Sequence, residues 1–297
     1  NAGRHSTLAA TFLGVTVSAN MPGAAALKTA LDTLFNHPNV GPFFCKQMIQ
    51  RLVTSNPSPA YVGRVAVAFN NNGSGVRGDL KAVWSAILLD DEARSPAGLT
   101  QASYGRLREP MLRLVQWGRT FGITSALGSW KIGDLSNTAS QLGQSPLRSP
   151  SVFNYFRPGY VPPSTALATS KAVAPEFQIV NESTVGGYLN YLQGVVRNGI
   201  HVNAPDQPNA GSNASNGYDI TATYTGELAL VTDAAALVRR LALLLCADQL
   251  SASTQTLIVN ALNATPVTAA STDAVKRNRV AAAVLMVMAS AEYLVQK

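Results

Sequence analysis

Apolar side chains recur at three- and four-residue spacing along most of this chain, and no run of useful length alternates apolar with polar residues. That periodicity places side chains on one face of a helix, so it constrains the fold to helices packed on helices. Leu27, Leu31, Leu34 and Phe35 follow Pro22-Gly23 and predict a helix over 24–35. Phe43, Phe44, Met48, Ile49 and Leu52 share a face over 40–53. Ser58-Pro59 is an N-cap followed by proline in the first turn, where a missing N–H costs nothing, and Tyr61, Val65 and Phe69 stack behind it.

Asp79 opens a helix carrying Leu80, Val83, Trp84, Ile87 and Leu88, stopped by Asp90-Asp91 and Pro96. A fifth helix spans 108–121, with Gly122 in the position after its end. Further helices are expected over 184–196, 233–245, 253–262 and 273–295. Two stretches lack any period: about 123–176, rich in Gly, Ser and Pro around Phe153, Tyr155, Phe156 and Tyr160, and about 198–225. Loops that long in a compact domain are functional or wrap the surface. The expected fold is all-α, a single multi-helix domain over 1–297 with two long irregular regions.

Composition narrows the class. The 297 residues are 46% hydrophobic and only 13% charged, where a soluble intracellular domain carries about a quarter. Lys+Arg 23 against Asp+Glu 16 leaves +7, but only Arg239-Arg240 and Lys276-Arg277-x-Arg279 are grouped, and both lie on expected helices. Such pairs form solvated faces, so nucleic acid is not an expected partner. The longest apolar run, 280–291, is about a dozen residues where a membrane span needs roughly 20. The chain is therefore not expected to span a membrane. Cys45 and Cys246 sit among apolar neighbours outside any ligand cluster, which favours two buried thiols over one long-range disulfide.

Gly73-x-Gly75-x-x-Gly78 has the spacing of a dinucleotide loop, but the run before it is helical and the acidic residues beyond it close a helix. Read as a calcium loop from Asn70, position twelve is Lys81, a cation where a bidentate glutamate is required. A polar turn between helices accounts for both patterns. None of the three histidines has a second ligand at helical spacing, and no Gly-x-Ser-x-Gly elbow is present. No metal or cofactor is therefore expected.

His37, between two helices, is a catalytic candidate, as are the carboxylates Glu109, Glu176 and Glu182. Glu176 and Glu182 flank the end of the aromatic loop, and paired carboxylates beside aromatics are the pattern of a glycan-cleaving site. Capping and loop anchoring produce the same pattern. Arg51, Arg64, Arg106, Arg108 and Arg148 are planar five-donor groups suited to pinning long loops. Arg51 and Arg148, with Phe153 and Tyr160, are the ligand-binding candidates.

Several segments together resemble the bacterial domain of unknown function 1800 family. They are Leu34 to Val62 with its His-Pro-Asn, Phe69 to Lys81, Arg106-Leu-Arg-Glu-Pro110, Ser149 to Tyr160, Ala174 to Ile179 and Met288 to Leu294. The resemblance implies an exported protein, longer than this chain, with a further helical portion ahead of the part seen here and a second exported family of sulfatase-like character often encoded nearby. Ala291 stands where the family pattern has proline. No settled activity comes with the resemblance. Two functions are expected from it and from the residues: binding or assembly with a partner chain or with the chain's own N-terminal portion, or hydrolysis or lysis of an extracellular polymer by paired carboxylates.

Overall fold

The computed structural model describes residues 2–203 and 215–297. The protein is helix-rich, 51% helix against 7% sheet, and divides into two compact units, Asn1–Tyr104 and Gly105–Lys297.

The first unit opens with a hairpin, β1 (Ala10–Phe12) and β2 (Val15–Val17). Leu13 and Gly14, both at positive φ, make its two-residue turn, the geometry that matches the twist of paired strands. Helices α1 (Gly23–Asn36), α2 (Val40–Leu52), α3 (Pro59–Asn70) and α4 (Leu80–Leu88) follow, then two single turns, α5 (Asp91–Arg94) and α6 (Ala97–Thr100). The expected caps are in place. Ser58 Oγ accepts from the Tyr61 amide, and an Asp79 oxygen accepts from the Lys81 and Ala82 amides. The core is small: Cys45, Ile49, Tyr61, Val65, Phe69, Val83 and Ile87.

The glycine-rich segment is a turn between α3 and α4. Asn71 Oδ1 accepts from the amides of Gly73 and Gly75, and Asn72 Oδ1 from those of Ser74 and Val76. The amides that would cradle a phosphate are thus spent on asparagine side chains.

The second unit contains β3 (Arg106–Leu107), α7 (Pro110–Thr120), β4 (Thr124–Ser125), α8 (Ala166–Thr169), α9 (Glu182–Asn198), β5 (Ile200–Asn203), β6 (Ser215–Thr221), α10 (Thr225–Leu228), α11 (Ala234–Cys246), α12 (Ala252–Asn263), α13 (Asp273–Ala289), α14 (Ala291–Leu294) and β7 (Val295–Gln296). Helices α7, α9, α11, α12 and α13 enclose the larger core, whose centre includes Trp117, Leu192, Leu237, Leu241, Val284 and Val287.

The strands are an addition to the expected helices. β3 pairs antiparallel with β7, and β6 lies between β4 and β5. The partners of β3 and β4 are far apart in sequence, Arg106 opposite Gln296 and Thr124 opposite Thr221, and the strands are two to seven residues long, so local alternation carried no signal. At Gly199, φ is +95° and a Cβ would collide with the Ile220 carbonyl, so glycine permits this close approach of backbone to β6. Of the expected irregular region 198–225, residues 204–214 lie outside the described residues, and strands flank them. The region 123–176 is mostly irregular, with β4 near its start, α8 inside it and a 3-10 turn at Pro175–Gln178.

One expected helix is divided. The periodic run over 273–295 ends as helix at Ala289, because Ser290 turns extended and its Oγ caps a new turn by accepting from the Tyr293 amide. Ala291, in the family's proline position, is the first residue of that turn. Both cysteines are buried and free, and burial pushes each thiol up to about 11.

Candidate functional site

Helix α1 is mounted with its small residues inward. Ala26 is its buried residue, with Thr29, Ala30 and Thr33 half-buried beside it. Leu27, Leu31 and Leu34 are 60%, 56% and 51% exposed. These leucines repeat at four and three, so they form a continuous apolar stripe, which is the face periodicity assigns to a core. Phe35 is partly tucked, its ring centroid 6.0 Å from that of Phe69, with the Arg77 guanidinium over it. Lys28 Nζ and Asp32 Oδ2, 2.5 Å apart, flank the stripe on the solvent side. Phe43 and Leu52 of α2, and Leu80 and Leu88 of α4, are likewise exposed although the pattern places them with core residues. A core closed by Ile49, Tyr61, Val65 and Ile87 has no room for them.

His37 ends α1. Its Nδ1 accepts from the Asn39 amide and its carbonyl accepts from the Val40 amide and from Arg77. Arg51 lies half-buried in the last turn of α2. Arg64 grips Asp90 with two bonds of 2.8 Å, and the Ser58 amide donates to Glu92, so α3 is tied to the start of α5. The Arg64 guanidinium holds the Asp90 carboxyl below the usual carboxylate range.

The three carboxylate candidates have different surroundings. Glu176 is 1% exposed in the 3-10 turn, 3.8 Å from the Arg106 guanidinium on β3. Glu182 is exposed at the start of α9, where a negative charge meets the helix dipole. Glu109 precedes Pro110 at the start of α7 and accepts from Gln144, whose own oxygen accepts from the Met111 amide. Glu109 and Tyr155 line a groove of about 350 Å³ whose other lining side chains are neutral. The Tyr155 hydroxyl both donates to the Ser145 carbonyl and accepts from the Ser145 amide, anchoring the long loop. Phe153 is exposed, Tyr160 is half-buried, and Arg148 lies 3.5 Å from Asp134.

Of the buried polar groups of the second unit, sequence reasoning named Arg106 and Glu176 and missed Asp219, Arg113 and Arg279. Asp219 on β6 accepts from Ser125 Oγ, the Leu127 amide and Ser129 Oγ at 2.5–2.7 Å. Burial opposes its charge, yet these bonds outweigh it and hold the carboxyl below its ordinary range. Arg279 donates to the Leu262 and Thr265 carbonyls and to Asn263, closing the end of α12. Arg108 and Arg113 lie over the rings of Tyr293 and Tyr188, at 4.8 and 4.6 Å from the centroids. Arg113 had a readable signal: it shares a helix face with Pro110, Leu114 and Trp117, where a cation is out of place.

Among the described residues no helix is long and apolar enough to cross a membrane. No curated protein and no solved structure matches the chain. A family model described as Protein of unknown function (DUF1800) matches residues 1–295, essentially the whole length, and the chain belongs to that family.

Proposed function

We propose that this chain is an exported bacterial helical protein that acts by binding and assembly, with α1 as its docking helix. The observation that carries this is the inverted mounting of α1, small residues inward and Leu27, Leu31 and Leu34 outward. A contiguous apolar surface of that kind marks a face that another polypeptide covers. From Leu27 to Leu34 the stripe runs about 10 Å at 1.5 Å per residue, two helical turns. Ridges at this spacing seat a second helix. The resemblance supplies the occupant: a helix of the portion it places ahead of this part of the chain. Export is supported by the low charge content, by the resemblance, and by two thiols sequestered from any oxidant.

The alternative, acid/base cleavage of an extracellular polymer, calls for a second acidic group beside Glu109, and the groove it lines is otherwise neutral.

Because Cys45 and Cys246 are buried, Leu31→Cys creates one accessible thiol for maleimide labelling. It is expected to react readily in the 297-residue chain and to be protected in a polypeptide that carries the portion the resemblance places ahead of it. Equal reaction in both would overturn the docking role. Protection in the 297-residue chain with a doubled mass by light scattering would replace the occupant with a second copy.

A further inference from the structure

The loop after β4 is tied down by the buried Asp219 carboxylate, which accepts from Ser125 Oγ, the Leu127 amide and Ser129 Oγ. The next residue, Trp130, has φ +54°, a left-handed conformation that costs a bulky side chain energy, and it is 56% exposed. The ring therefore adds little to the core. A side chain held on a rigidly anchored loop and left in water is placed to meet something outside the chain.

Trp130 lines a pocket of about 460 Å³, together with Leu114 on α7, Ile123, Ile132 and Ile220 on β6. Arg119, in the last turn of α7, lines it too and is the only charged residue to do so among the described residues. Arg119 is exposed and makes no hydrogen bond, ion pair or ring contact with a described residue. An unpaired guanidinium on a flexible stem can swing onto an acid seated beside it. Apart from Arg119 and two indoles, the lining side chains carry no nitrogen or oxygen. A polypeptide segment would bring amides and carbonyls that these walls leave without partners. The volume lies within the range of about 300–1,000 Å³ of small-molecule sites. At about 30 Å³ per heavy atom, the share of one water in the liquid, it holds about fifteen.

We propose that this pocket binds a single-chain monocarboxylate of about 8–12 carbons, its hydrocarbon against Leu114, Ile123, Ile132 and Ile220, its flank covered by Trp130 and its carboxylate paired with Arg119. One unpaired cation beside apolar walls matches one acid on an apolar body. A cationic head would meet Arg119 with like charge, and a neutral one would forgo the charge-assisted bond.

The test is titration of the 297-residue chain with decanoate below its micelle concentration, with decanol, decyltrimethylammonium and acetate as comparisons. The readouts are calorimetry and the emission of Trp130, the exposed one of the chain's three tryptophans. One decanoate per chain is expected to saturate and to shift the emission to the blue. Decanol is expected to bind at least about tenfold more weakly, for want of the charged bond, and acetate at least about a hundredfold, for want of the chain. Decyltrimethylammonium should not bind measurably. Arg119→Gln, at an exposed position, is expected to bring decanoate down to the level of decanol. Val115→Trp, at another exposed position in the lining, should fill the pocket and abolish the calorimetric signal with the far-ultraviolet circular dichroism unchanged. Absence of saturation, decanol or decyltrimethylammonium binding as tightly as decanoate, or unchanged decanoate binding in either variant would overturn the proposal.

Discussion

The two units treat the same kinds of residue in opposite ways. In Asn1–Tyr104, fifteen large apolar side chains are exposed against seven in the core cluster; in Gly105–Lys297, twelve are exposed against thirty-one, counted among the described residues. Charges follow the reverse pattern. Among the described residues the first unit fully buries no arginine, leaving Arg64 and Arg94 exposed and Arg51 and Arg77 half-buried, whereas the second buries Arg106, Arg113 and Arg279. A small unit has too much surface for its volume to enclose every apolar face. A larger one has interior helix ends whose carbonyls need donors, and arginine reaches them.

Three measurements would break or sharpen this contrast. The largest effect is expected for Trp117→Ala, which empties a fully buried site and removes the indole N–H that donates to the Tyr224 hydroxyl at 2.7 Å, leaving that hydroxyl only its bond to the Val196 carbonyl. Its cost is about 3–5 kcal/mol in denaturant unfolding. Leu31→Ala is expected to cost under about 0.5 kcal/mol in the isolated chain, and a loss near that of Trp117 would mean the stripe is packed.

Next comes Arg279→Met, which removes three hydrogen bonds of a charged donor at the end of α12, to the Leu262 and Thr265 carbonyls and to Asn263. About 2 kcal/mol is expected from their loss. Arg64→Met should move the unfolding midpoint less, since its guanidinium is solvated; an equal shift would erase the difference between surface and interior arginines.

The smallest effect is pH-dependent. The folded pKa of Asp90 is lowered by its Arg64 hydrogen bonds, so the pair's contribution is present above the unfolded carboxylate pKa of about 3.9. It is lost as pH falls from there through the lower folded value. Asp90→Asn should flatten that part of the acid unfolding profile. An unchanged profile would show that the pair contributes nothing to acid sensitivity.

The helices were legible because their signals are local. Ser58-Pro59 before Tyr61 and Asp79 before Leu80 each place a cap where the structure has one. The division at Ser290 was hidden because the apolar period continues through it, and only the hydrogen bond to Tyr293 reveals the new turn. Of the site residues, Glu109 was legible as a helix-start carboxylate, but its groove depends on Gln144 and Tyr155, distant in sequence. Arg113 was visible only as a cation on an apolar face.

By itself the sequence determined the family, from motifs spread along the chain, and the helical character, the caps and the glycine-asparagine turn, which each rest on residues within a few positions of one another. Tertiary structure alone decided which face of α1 is left to solvent, which arginines are interior and which short segments pair as strands. Those outcomes depend on competition for a limited interior and on partners as far apart as Arg106 and Gln296. Periodicity shows that a helix has an apolar face; the volume available elsewhere in the fold decides whether that face is buried.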